Sequence, residues 1–181
     1  MKIRSFLSYS SYVIKHKWYV FLECCKRGIP IRGLLHDWHK FLPDEFIPYM
    51  NYFGPKGIQR GRNKTGYYKP NDTGDSAFDR AFFLHQKRGS HHWQYWVMPL
   101  SKEENTEGMR IFEMPPKARL EMLCDFYGAS RAQKSTGTVR DWYLQNGSKL
   151  VLHPNTRQWL EDKLNINTGE ENVRPIRVQK S

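Results

Sequence analysis

The sequence predicts an all-α fold, and three observations predict it. Apolar residues recur at helical spacing along most of the chain, helix start and stop signals bracket those stretches, and no stretch alternates as a strand would. The first helix is expected from about Tyr12 to Lys26, with Val13, His16, Val20 and Cys24 on one face and Gly28 as its stop. Pro30 opens a second, short helix expected to run through His36-Asp37. A third starts at Leu42-Pro43-Asp44-Glu45, its acids in the first turn, and buries Phe46, Tyr49, Met50 and Phe53. Ser76 to Asp79 reads as a capping box opening a helix to about Arg88, with Phe78, Ala81, Phe82 and His85 inward. A polar stretch reaches about Met109. Pro115-Pro116 then precedes a helix from about Lys117 to Ala132, with Ala118, Met122, Asp125 and Ala129 on one face. Thr138 to Asp141 is a second capping box, for a short helix stopped by Gly147, and a last helix runs from about Asn155 to Leu164.

With 181 residues the chain is long enough for one core. The expected organisation is a single helical domain over 1–164, interrupted by a Gly-, Pro-, Asn- and Lys/Arg-rich loop at 54–75, with a polar tail at 165–181. A content of 39% hydrophobic and 14% aromatic residues argues against disorder. No apolar run approaches the length of a membrane span, and the N-terminus carries no clean signal-peptide pattern. Three cysteines, two of them adjacent, fit no disulfide framework and no thiolate zinc site; a cytoplasmic protein with reduced thiols is expected. The formal charge of +11 steers phosphate-bearing partners toward the surface, from nucleotides to nucleic acid, or marks only a solvated basic face. Arg60, Arg62 and Lys64, with Lys56, Lys69, Tyr67 and Tyr68 in the same loop, would suit a phosphate and a base.

Six of the seven histidines lie within the first 92 residues of the chain. A histidine on an apolar face is commonly a satisfied core residue, but a buried aspartate must be paired or metal-bound. His16, His85 and Asp125 occupy inward positions on three different helices, and His36-Asp37 adds an adjacent pair. One metal centre satisfies all of them. Imidazole with carboxylate suits manganese, iron, cobalt, nickel or zinc, without distinguishing among them. Four histidines and two aspartates suffice for two divalent ions, with Asp37 bridging.

The order His16, His36-Asp37, Asp125 resembles the ligand order of the HD-domain superfamily. Leu34-Leu35-His36-Asp37-Trp38-His39-Lys40 looks like the LLHDxxK signature of its dinuclear branch, which includes the HD-GYP phosphodiesterases. His85 and His91-His92 stand where that branch places further histidines. The resemblance implies an HD-domain-like helical bundle around a metal centre, with His16, His36, Asp37, His85, one of His91 or His92, and Asp125 as ligands. The pair Trp38-His39 replaces the usual small or aliphatic residues, and no Gly-Tyr-Pro turn follows His92, so a cyclic dinucleotide substrate is not implied. The chain is also similar to small uncharacterised phage and bacterial proteins with the pattern HK…HDxxKFxPxEF…HHWxYW.

The activity expected from the resemblance is a metal-dependent phosphohydrolase acting on a nucleotide or related phosphorylated small molecule through a metal-bridged hydroxide. Asp37 bridges the ions, and Lys40, with the loop arginines, holds phosphate. His39 is either a proton donor to the leaving oxygen or a residue that supports the ligands or lies exposed. A di-iron oxygenase of the same superfamily has the same ligands, and a non-catalytic nucleotide or nucleic-acid binding protein is the third possibility. Trp93, Tyr95 and Trp96 are expected in the core rather than against a base.

Overall fold

The structure is a computed structural model that describes residues 3–54, 73–100 and 108–166. It is a helical bundle in which the chain runs α1 (Ile3–Lys26), α2 (Pro30–Leu35), a 3₁₀ turn (Trp38–Phe41), α3 (Pro43–Phe53), α4 (Ser76–Arg88) and a second 3₁₀ turn (Trp93–Trp96). It continues through α5 (Pro116–Ala132), α6 (Val139–Asn146) and α7 (Pro154–Lys163). The polar stretch before α5 holds a small antiparallel hairpin that was not expected, β1 (Val97–Pro99) against β2 (Met109–Ile111), with Met98 opposite Arg110. Three residues per strand are too few to show an alternating pattern in sequence.

Two further boundaries differ from expectation. α1 begins at Ile3, because a second cluster (Tyr9 and Val13 against Tyr49, Met50, Phe53 and Phe78) extends its buried face toward the N-terminus. The cap of α4 is Asp75, whose side chain accepts from the Phe78 amide. Asp79, read as the partner of Ser76, instead accepts from the amide and hydroxyl of Thr73. The Thr138/Asp141 capping box on α6 is present with both bonds.

α1 and α5 form the spine. They touch at Gly128, where a side chain would clash: its Cβ would lie 2.8 Å from the Val20 backbone nitrogen. That close approach brings His16, one turn before Val20, opposite Asp125, one turn before Gly128. Gly33 does the same for α2, since a Cβ there would lie 2.6 Å from the Cys24 Cβ. The apolar cores lie on either side of this crossing. One joins α1, α3 and α4; the other packs Met114, Met122, Tyr143, Leu150, Leu152 and Leu160 among α5, α6 and α7. Trp93 and Trp96 are half-buried against the second core, as expected, while Tyr95 is exposed. Cys24 and Cys124 are buried free thiols, and Cys25 is exposed. Ile166, at the start of the expected tail, also packs on the second core; residues 167–181 lie outside the described residues. Among the described residues, no helix is long and apolar enough to cross a membrane.

Candidate metal centre

The expected continuation of α2 through His36-Asp37 does not occur. The helix ends at Leu35, His36 turns extended (ψ 128°), and Asp37 takes the left-handed region (φ 51°). On one helix, adjacent residues point about 100° apart. The break lets both side chains turn to the same interior point. A left-handed non-glycine residue costs energy, so the surroundings must hold it there.

Around Asp37, which is 2% exposed, six imidazoles gather from four segments. His16 of α1 lies 3.2 Å from Asp125 Oδ1 and 3.7 Å from Asp37 Oδ2 through Nε2. His36 Nε2 is 3.4 Å from Asp37 Oδ2 and 3.6 Å from Asp125 Oδ1. His91 Nε2 is 3.2 Å from Asp37 Oδ1, and His92 Nε2 is 3.9 Å from the same atom. His85 Nε2 is 3.9 Å from Asp37 Oδ2. His39 is buried, its Nε2 3.8 Å from Asp37 Oδ1. It therefore faces the centre as the other five do. Both His91 and His92 face Asp37, so the two do not divide into a ligand and a bystander.

Two carboxylates absent from the expected site hold this arrangement. Glu121, one turn before Asp125 on α5, lies 3.1 Å from His36 Nδ1 and 3.2 Å from His91 Nδ1. Glu45 on α3 lies 3.0 Å from His39 Nδ1 and 3.2 Å from His85 Nδ1. A carboxylate at Nδ1 makes that nitrogen the donor and leaves the Nε2 lone pair facing Asp37. Each carboxylate is backed by a guanidinium, Arg32 to Glu121 at 2.6 Å and Arg88 to Glu45 at 2.7 Å. The sequence held a signal for Glu121, four residues before Asp125 on the same face. Glu45 read only as a first-turn acid favoured by the helix dipole.

The electrostatics favour cations. Burial raises the pKa of Asp37, but His36, Lys40 and His85 outweigh it and hold the carboxyl well below its ordinary range. Burial acts the same way on Asp125, and bonds to His16 and His36 overcome it. Burial lowers His16, yet the carboxylates of Asp125 at 3.2 Å and Asp37 at 3.7 Å raise it on balance. His85 is lowered to about 4, chiefly by burial, and stays neutral. Four buried or nearly buried carboxylates (Asp37, Glu45, Glu121, Asp125) face Lys40, Arg32 and Arg88 before any imidazole is protonated. Lys40 Nζ lies 2.7 Å from Asp37 Oδ2 as an ion pair. Even so, both Asp37 oxygens and the Nε2 atoms of His39, His91 and His92 are buried without a hydrogen-bond partner. Such a set of orphaned acceptors is costly unless a cation takes them up. The donor groups divide into overlapping triplets, including His16/His36/Asp125 and Asp37/His85/His92. The residues present thus fit a metal ion, and the two triplets share no atom.

The centre opens into a cavity of about 700 Å³. His16, Lys40, His85 and Asp125 form its floor, Tyr9, Tyr12 and Phe82 one wall, and the loop from Gln133 to Thr138 its rim. Gln133 Nε2 donates to the Tyr12 hydroxyl at 3.2 Å, tying the rim to α1. Tyr9, 4% exposed, has an unpartnered hydroxyl in the wall. Arg60, Arg62 and Lys64 lie outside the described residues. His153 caps α7 by accepting from the Asn155 amide at 3.3 Å and takes no part in the site.

Residues 5–166 match a family of unknown function (DUF5662), and the chain belongs to that family. No curated protein and no solved structure matches it.

Proposed function

We propose that this chain is a metal-dependent phosphohydrolase, of the nucleotidase or phosphodiesterase type, with an HD-like centre. One observation carries the reading: six imidazole Nε2 atoms converge on one buried aspartate, with four of the rings oriented from behind by Glu45 and Glu121. His16, His36, Asp37 and Asp125 would hold one cation, and Asp37, His85, His91 and His92 a second, with His39 within reach of the latter. Bound divalent cations would supply Lewis acidity and a water acidic enough to lose a proton near neutral pH.

The chain's own groups would do the rest. Lys40 sits on the cavity floor, and its ammonium is kept charged despite burial by Asp37. It is placed to hold a phosphoryl oxygen. The Tyr9 hydroxyl is a ready donor to a second oxygen. The aromatic wall leaves room for an organic group attached to the phosphate and keeps water away from it.

The test is elemental analysis of protein purified without chelators or histidine tags, beside an His36→Ala/Asp37→Ala variant. Each is also assayed for release of phosphate from generic aryl phosphate esters with added manganese, cobalt or nickel. About two ions per chain and metal-dependent hydrolysis in the wild type alone are expected. Tightly held iron with no hydrolysis would turn the reading to the oxygenase. An absence of metal in both proteins would refute a metal centre altogether.

A further inference from the structure

α1 carries two faces, and among the described residues only one of them is used inside the bundle. Ile3, Leu7, Ile14 and Trp18 follow one another at spacings of four, seven and four, which places them on a single stripe. All four are more than half exposed. α2 and the 3₁₀ turn after it add Ile31, Leu34, Leu35, Trp38 and Phe41, each at least half exposed. These elements lie edge to edge. Gly33 seats α2 against Phe21 and Cys24, and Trp18 lies 5.8 Å from Phe21. Lys17 reaches from α1 to the His36 carbonyl and lies 5.9 Å from the Phe41 ring. The result is a continuous apolar face on the outer side of the segment that holds His36 and Asp37. Contiguous exposed apolar patches mark interaction surfaces.

Charge selects the occupant. Between Ile3 and Phe41 the only acids are Glu23 and Asp37. Both are buried, Glu23 paired with Lys26 and Arg27 and Asp37 with Lys40. Arg4, Lys15 and Lys26, spaced by eleven residues or three helical turns, run exposed beside the apolar stripe. A second copy of the chain would bring this cationic row toward its equal, with no exposed acid on the face to meet it. A bilayer surface with anionic headgroups offers what the face lacks: negative charge beside an apolar layer shallow enough for a helix lying flat. Trp18 and Trp38 are suited to that boundary.

We infer that the face formed by α1, α2 and the Trp38–Phe41 turn docks on an anionic lipid surface, with α1 lying in the headgroup plane. This arrangement needs no spanning segment, so the lack of one among the described residues does not oppose it. It is also independent of the reaction proposed above.

Sedimentation with vesicles tests it. Full-length protein is mixed with vesicles of phosphatidylcholine alone or with phosphatidylglycerol in equal parts, and tryptophan emission is recorded in parallel. Binding at least about tenfold stronger to the anionic vesicles is expected, with a blue shift. Ile14→Glu/Trp18→Glu should abolish it. Leu144→Glu, which alters an exposed leucine on α6, should leave it intact. Circular dichroism shows whether each variant is folded. Equal sedimentation with and without anionic lipid, or binding that survives Ile14→Glu/Trp18→Glu, overturns the proposal. So does a dimer in solution that this double variant converts to monomer, since a second copy would then cover the face.

Discussion

The two interiors of this molecule are built on opposite terms. Between α5, α6 and α7 the core is apolar: Met114, Met122, Leu150 and Leu160 exclude water and ask nothing of one another beyond fit. Among the described residues, the interior between α1, α2, α3, α4 and α5 holds four carboxylates and six imidazoles, paired with three cationic side chains. The first gains its stability from buried area, about 25 cal/mol for each Å². The second must balance charge by charge, because one uncompensated ion costs more than most single contacts return. A cluster arranged in this way adds little net stability, and it keeps lone pairs facing inward where they could hold a cation.

The sharpest way to break that contrast is to remove one charge. Asp37→Ala in chelator-treated protein should cost about 3–5 kcal/mol, because Lys40 loses its partner in a buried position. Adding Lys40→Met should recover part of the loss. Urea titrations of the two variants check this, and a double variant no better than the single one would show that Lys40 finds water instead. In the apolar core, Leu160→Ala should cost about 2–5 kcal/mol, since Leu160 is fully buried. It should leave the metal content per chain unchanged, and a coincident loss of metal would mean that the two interiors unfold as one. Glu121→Gln acts at longer range. It weakens the hold on His36 and His91, and metal affinity should drop about 10–100-fold with little change in fold, measured by competition with a chelating dye.

Protons sharpen the same comparison. In the metal-free chain burial pulls His36 down, but Asp37, Asp125 and Glu121 raise its pKa on balance; His91 is likewise raised by Asp37 and Glu121 against burial and His36. A cation has to displace those protons. Metal affinity should therefore fall as pH drops through the imidazole range and rise again above it. An affinity flat between pH 5 and 8 would mean the imidazoles are not the ligands.

Much of this was legible in the sequence, and the reasons are local. His16 and His85 stood in apolar stripes of long helices, where spacing alone fixes the direction of a side chain. The resemblance put both His36 and Asp37 at the centre, but the helix break that turns them both inward was not legible, because it depends on a left-handed residue held by its surroundings. His39 was open to two readings for the same reason: it follows the break, and no periodicity reaches across it. Glu45 looked like an ordinary helix acid, and the shared face with Asp125 gave Glu121 a direction but no partner, since what each carboxylate holds lies 40 or 85 residues away. The hairpin was too short to alternate.

The smallest expected effect lies where the bundle meets solvent. Glu23 joins α1 to α5 by accepting from Lys26 on its own helix, from Arg27 just past its end, and from Arg131 across the interface. Burial raises its pKa, and the bonds to Lys26 and Arg27 lower it further than burial raises it. A carboxyl lowered by folding stabilises the fold above its unfolded pKa and loses that contribution as pH falls through the folded one. Glu23→Gln should then cost under about 1 kcal/mol at neutral pH, because Lys26 and Arg131 are largely solvated and screen the pairs. The gap between variant and wild type should close below the carboxylate range, where the wild type has lost its charge as well. Thermal melts at pH 7 and pH 3 check both points. A gap that persists in acid would locate the contribution of Glu23 in packing, and the contrast drawn above between charge-balanced and area-balanced contacts would not extend to this edge of the bundle.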